Sequence, residues 1–188
     1  MLAFLDFEAS SLSNRSYPIE VAWVFEDGRS ESHLIRPAAG WDDWDDAAQA
    51  IHGILRSTLL TEGKTHDAVA ARMIHALDGH DLCASAPSWD GKWLSVLLRE
   101  GGFPRHALRL RATDDILAET ALSLLKDSLP ETELPWRVVQ LVQESSARPA
   151  DWRPAHRALA DAEAERDRWL CVGQQARKLA SQMRGESA

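Results

Sequence analysis

The chain has 188 residues, 45% of them hydrophobic and 27% charged, which suits one soluble globular domain with a substantial core. A net charge of −8 argues against a broad electrostatic footprint for duplex nucleic acid, but not against a site that grips one nucleic-acid end with metals supplying positive charge. No apolar run approaches the length of a membrane span and no basic-then-apolar leader opens the sequence, so no membrane association is expected.

The chain is organised around its first eight residues, Met1 to Glu8, an apolar run ending in two carboxylates spaced i, i+2. In a strand Asp6 and Glu8 point to one side, together with Leu2 and Phe4, while Ala3, Leu5 and Phe7 fill the other. Both faces are apolar until the end, as expected of a central strand covered by helices. Two like charges closing such a strand are costly unless something cationic lies between them. A divalent metal at the strand's C-terminal edge and a strand running out into a solvated acidic loop are the two readings.

A small polar turn over residues 9–14 leads to a second strand from Ile19 to Phe25. Glu26-Asp27-Gly28 then forms a hairpin turn into a third strand at about Ser30 to Ile35, ended by Pro37. Asp46 is expected to cap a short helix over Ala47 to Ile54. His66 to Leu77 has helical periodicity through Val69, Met73 and Leu77. Asp81 to Ala86 reads as a buried strand, and Asp90 to Glu100 as a helix with Trp93, Leu94, Leu97 and Leu98 inward, stopped by Gly101-Gly102.

A short strand is expected at Leu108 to Arg111, a helix capped by Thr113 through Leu125, and another helix from Leu134 to Gln143. Ser145 to Trp152 reads as a loop. Pro154 takes a first-turn position in a helix reaching about Leu170, with Val172 to Met183 continuing it or forming a separate one. The pattern indicates a single α/β domain over residues 1–184 with a mixed sheet, and a disordered tail over 185–188. The two cysteines, Cys83 and Cys171, sit in segments that look buried and lack metal-ligand spacing. Reduced core thiols of an intracellular, cytoplasmic protein are expected. Of the eight tryptophans, Trp23, Trp93 and Trp169 fall in periodic apolar segments, whereas Trp41, Trp44 and Trp89 lie near loops, where they either cover the core or stack on a base.

Three separated pieces point to one site: Asp6-Phe7-Glu8, Asp90 after a strand and turn, and His156-Arg157-Ala158-Leu159-Ala160-Asp161. Residues five apart on a helix lie roughly 140° apart around its axis, so His156 and Asp161 serve one site only if His156 sits on the first turn or the preceding loop. Apolar neighbours make an unpaired Asp161 expensive, while the alternative places it on an exposed stripe with Glu163, Glu165 and Asp167. Asp114 and Asp115, which follow a possible strand, are competing candidates for the third carboxylate beside Asp90.

Asp6-x-Glu8, then Asp90, then His156 followed by Asp161, resembles the DEDDh branch of the 3′–5′ exonucleases, the superfamily of proofreading exonucleases, ribonuclease T and oligoribonuclease. Ile51-His52-Gly53-Ile54 also resembles a histidine-glycine segment of many members. The resemblance covers residues 1 to about 170. It implies a ribonuclease-H-like mixed sheet flanked by helices, and hydrolysis of terminal phosphodiesters of single-stranded RNA or DNA to nucleoside 5′-monophosphates. Asp6, Glu8, Asp90 and Asp161 would bind two divalent cations, Mg²⁺ or Mn²⁺, and His156 would be the general base toward the attacking water. Ala9, Ser10 and His52 would hold the terminal nucleotide, with a local helix cap as the alternative for His52. Ala9 stands where many members have threonine, and Ser85-Ala86-Pro87-Ser88-Trp89 lacks their His-Asn pair. The expected partners are single-stranded 3′ ends, short oligonucleotides in particular. Some relatives dimerise, yet no apolar stripe marks a homodimer interface here. A non-catalytic module that keeps the fold and binds nucleic acid or protein is the competing class.

Overall fold

The computed structural model describes residues 1–146 and 155–185. The opening run forms β1 (Leu2–Ala9), and two further strands, β2 (Pro18–Phe25) and β3 (Ser30–Arg36), follow in a meander. β1 and β2 pair antiparallel with Leu5 opposite Trp23 and Glu8 opposite Glu20, and the register shifts between Glu8 and Ala9 where the chain leaves the sheet. Two short helices come next, α1 (Asp46–His52) and α2 (Arg56–Glu62), then the two-residue β4 (Lys64–Thr65) and α3 (His66–Leu77). The second half alternates: β5 (Asp81–Ala84), α4 (Pro87–Glu100), β6 (Leu110–Ala112), α5 (Thr113–Leu125), α6 (Leu134–Ser145) and α7 (Ala158–Gly185).

The six strands form one mixed sheet in the order β4-β3-β2-β1-β5-β6, with β5 and β6 parallel to β1. β1 is therefore central, and its alternation assigns each face. Ala3, Leu5 and Phe7 pack with Val69, Met73 and Leu77 of α3 and with Leu94, Leu97 and Leu98 of α4. Phe4 packs on the other face against Cys83, Ile116 of α5 and Trp169 of α7. Small buried residues, Ala158, Ala162, Gly173, Ala176 and Ala180, bring α7 close to the sheet and to α5. This α/β sandwich is the expected fold class.

Several boundaries differ from expectation for local reasons. The helix over residues 46–52 is capped by Asp45, not Asp46: Asp45 has extended backbone (φ −125°) and its carboxylate accepts from the Ala47 amide at 2.9 Å. It stops at His52 rather than Ile54 because Gly53 takes φ +69°. The helix expected from Asp90 begins earlier, with Pro87 in its first turn, placing Asp90 one turn in. Thr113 is the first helical residue, not a cap, because β6 runs directly into α5. α2 and β4 were not anticipated; Leu59 is the only buried residue of α2, too little periodicity to read.

The expected loop from Ser145 to Trp152 falls mostly on residues 147–152, which with Pro154 lie outside the described residues; Ser145 itself ends α6. The last helix starts at Ala158, since Ala155 to Arg157 are not helical and His156 has φ +48°. α7 then continues unbroken through Gly185, so Gly185 belongs to the helix and not to a tail; residues 186–188 lie outside the described residues. Cys171 is exposed on α7 rather than buried, whereas burial of Cys83 pushes its thiol up to about 12. Trp41 stacks on Tyr17 and Trp44 packs beside Ile54, so both cover the core, while Trp89 stays half exposed against Trp93. Among the described residues, no helix is long and apolar enough to cross a membrane.

Candidate active site

β1 presents Asp6 and Glu8 on the face turned to α7, and Asp161 meets them from that helix's first turn. One carboxylate oxygen from each of Asp6, Glu8 and Asp161 lies within 4.8 Å of the others. The two residues closing a central strand thus gain a third acid from 153 positions later in the chain, a juxtaposition only the sheet–helix packing creates.

Asp90, the fourth expected ligand, is not one of this trio but is near enough to act on Asp6. It is 3% exposed, and its Oδ2 is buried without a hydrogen-bond partner among the described residues. Its field is the largest electrostatic contribution acting on Asp6 after burial. Burial followed by repulsion from Asp90, Glu8, Asp161 and Glu165 pushes Asp6 up to about 9. Burial, then Asp161 and Glu20, pushes Glu8 to about 7, with Arg157 pulling it back. Asp90 is pushed to about 7 by burial, against backbone hydrogen bonds from Ala86, Phe7 and Asp90 itself that favour its charged form. A cluster of this kind stays ionised near neutral pH only with added positive charge.

The consequence for stability has a definite sign. Folded-state pKa values raised above those of the unfolded chain mean that the native protein binds more protons, so stability is present at low pH and lost as pH rises through the folded values. With a chelator present, the thermal midpoint is expected to fall as pH rises from about 4 toward 9. Saturating Mn²⁺ is expected to raise that midpoint and flatten the decline, because the ion selects the ionised carboxylates. Calorimetric scans across pH, with Mn²⁺ and with chelator, check both.

Beside the carboxylates, a cavity of about 340 Å³ is lined by Glu8, Ala9, Ser11, Ile51, His52 and His156. Leu12 and Ile51 expose apolar side chains at its rim. His156 reaches it from the non-helical turn before α7, so the five-residue offset to Asp161 is accommodated as the helical geometry requires. His52, 5% exposed, accepts the Ile54 amide on Nδ1 at 3.0 Å, which places its proton on Nε2. That Nε2 is buried without a hydrogen-bond partner among the described residues. Burial holds its pKa below the usual histidine range, so the ring is a neutral donor.

Ser10 is fully buried and internally committed. Its amide donates to the Tyr17 carbonyl, its carbonyl accepts from the Asp45 amide, and its Oγ accepts from the Tyr17 amide. Ser10, Ser11 and Ser13 all donate to the Asp43 carboxylate, fastening the loop after β1 to the segment before α1. Ala9 lines the cavity directly. Asp114 lies apart from the carboxylate trio, paired with Arg168 at 2.8 Å on the protein surface.

Two acids were overlooked or misplaced by pattern reading. Glu165, which the alternative reading of Asp161 put on an exposed stripe, is 7% exposed and lies one helical turn beyond Asp161, where it pairs with Arg168 at 2.8 Å and adds to the field on Asp6. Its i+4 spacing from Asp161 was the available signal. Glu20, 2% exposed, lies opposite Glu8 in the strand register and binds Arg157 through both of its carboxylate oxygens. A lone charge inside the apolar run Ile19-Glu20-Val21 was its signal.

The six-stranded mixed sheet flanked by helices is shared with solved exonuclease structures. The particular likenesses are to exonuclease I. The zinc-bound E. coli exonuclease I–ssDNA complex superposes with a TM-score of 0.62 at 22% identity over 95% of this chain and 41% of that one. Exonuclease I from Methylocaldum szegediense gives 0.64 at 17% over 95% and 41%, and the E. coli enzyme with a dT13 oligonucleotide gives 0.61 at 19% over 88% and 39%. The likeness is one of fold, and the chain spans about two fifths of the length of those proteins. No protein-family model and no curated protein matches the sequence.

Proposed function

We propose that the chain is a metal-dependent 3′–5′ exonuclease acting on single-stranded nucleic-acid ends and releasing nucleoside 5′-monophosphates. The observation that carries this reading is the convergence of Asp6, Glu8 and Asp161 within 4.8 Å, with buried Asp90 acting on Asp6. An all-oxygen donor set of crowded, buried carboxylates fits hard divalent cations such as Mg²⁺ or Mn²⁺, and fits soft ions poorly. Asp6, Glu8, Asp90 and Asp161 would hold two such ions, which when bound lower the pKa of water and stabilise the leaving 3′ oxygen.

The other steps belong to the chain's own groups. The cavity beside Glu8 is of a size to take one terminal nucleotide, with Leu12 and Ile51 offering apolar surface to the base. The His52 Nε2–H donates to an acceptor of the sugar or phosphate, in the tautomer set by the Ile54 amide. His156, on the wall of the same cavity as Glu8, takes the proton from the attacking water and returns it to solvent. The exonuclease I complexes contain single-stranded DNA, which supports a single-stranded substrate for this fold.

The test is a degradation assay with 5′-end-labelled single-stranded DNA and RNA, in Mg²⁺, Mn²⁺ or chelator. Stepwise shortening from the 3′ end with either metal and none in chelator is expected. Binding of Mn²⁺ by calorimetry without any shortening of either strand would overturn the enzyme reading in favour of a non-catalytic module.

A further inference from the structure

Glu20 sits at the buried end of β2, across the strand register from Glu8, and belongs to neither the carboxylate trio nor the nucleotide cavity. Its carboxylate accepts three hydrogen bonds from one short stretch of chain. Arg157 donates from Nε at 3.0 Å and from Nη2 at 2.6 Å, and the Ala158 amide donates at 3.1 Å. Ala158 is the first residue of α7, so Glu20 supplies from a different element the acceptor that a helix N-terminus ordinarily finds in its own cap residue. Its negative charge also faces the positive end of the helix dipole.

The segment so held carries both halves of the last motif. His156 immediately precedes Arg157, in a left-handed conformation that costs a non-glycine residue energy and persists only where its surroundings impose it. Asp161 follows in the first turn, its amide bonded to the Arg157 carbonyl at 3.1 Å. We infer that Glu20 and Arg157 are positioning residues of the proposed exonuclease site: their three-point clamp on the sheet sets His156 against the cavity and Asp161 against Asp6 and Glu8. This inference rests on the function proposed above. The guanidinium also counters the charge of Glu20 close to Glu8, which it pulls toward ionisation.

A merely structural role predicts something different. The rest of α7 is anchored by Ala162, Val172, Ala176 and Ala180, so removing the clamp leaves the fold and releases only its first turn. Glu20→Ala and Arg157→Ala are therefore expected to lower kcat on a single-stranded oligonucleotide about 10- to 100-fold, with KM within about threefold. The double variant is expected to be no slower than the slower single, because both break one device. Glu20→Gln keeps an acceptor for the Ala158 amide and is expected to recover part of the loss.

Folded Glu20→Ala and Arg157→Ala proteins with kcat within about twofold of the unmodified chain would overturn the inference, as would losses that multiply in the double variant. Should Glu20→Ala not fold, Arg157→Ala, altering a half-exposed side chain, decides the matter alone. An unmodified chain that hydrolyses nothing would defeat the proposed function instead. The clamp is then decided by amide hydrogen exchange at Ala158: at least about tenfold faster in Glu20→Ala supports it, and unchanged exchange overturns it.

Discussion

Replacing Asp6 by asparagine is expected to abolish hydrolysis, by on the order of 10³-fold or more, while leaving a folded protein. Asp6 is the central acid of the site: it lies on the middle strand, shares the trio with Glu8 and Asp161, and feels Asp90 and Glu165 as well. An amide there keeps the size and hydrogen-bonding reach of the side chain but removes the charge on which divalent cations depend. The same substitution acts in the opposite direction on stability. Without metal, the native protein disfavours ionised Asp6, whose pKa of about 9 far exceeds its unfolded value. At pH 8 the Asn variant escapes that penalty and is expected to melt at a higher temperature than the unmodified chain in chelator. Near pH 4 the two should melt together, because Asp6 is then protonated in the native state and only partly ionised in the unfolded one. Hydrolysis assays in Mn²⁺ and melting curves at both pH values check the two halves. An Asn variant that is active, or less stable than the parent at pH 8 in chelator, would contradict the account. The pattern is the familiar one of a functional site assembled against the stability of its host.

His156→Ala is expected to lower kcat by about 10²- to 10⁴-fold, the range attributable to a lost general base. Calorimetric Mn²⁺ affinity should change only a few-fold, since His156 lies outside the carboxylate trio. That dissociation separates His156 from Asp6, whose loss should remove metal and turnover together. The prediction follows from placement: His156 leaves the helix that carries Asp161, turns through φ +48°, and lines the cavity beside Glu8 and His52. His156 is only partly buried and lies outside the helix, so the variant is expected to fold normally. Full activity in a folded His156→Ala protein would require another base, and His52 is poorly suited because its Nδ1 is committed to the Ile54 amide.

The most legible parts of this protein were those in which local pattern and burial coincide. The two faces of β1 follow from a period of two, the β2–β3 hairpin from the Glu26-Asp27-Gly28 turn, and the helix at residues 66–77 from a period of 3.6. Helix geometry also required His156 to sit on the first turn or the preceding loop if it and Asp161 serve one site, and His156 is indeed non-helical, with φ +48°. Ends and caps were less legible. Whether Asp45 or Asp46 caps α1 depends on which of two adjacent acids has extended backbone, and residue identity does not distinguish them.

The sequence by itself determined that a strand apolar on both faces would end in Asp6 and Glu8, and that such a pair needs a nearby cation or water. Asp90, His156 and Asp161 were also named from the sequence, but only the tertiary structure decided how closely the distant groups meet and that Glu165 and Glu20 are buried beside them. Packing of α7 on β1 and β2 brings Asp161 to Asp6 and Glu8, turns Glu165 inward, and gives Glu20 the first turn of the helix to hold. The physical reason is that burial and long-range electrostatics depend on which surfaces meet in space, and that meeting is set by sheet order and helix docking over separations of more than a hundred residues.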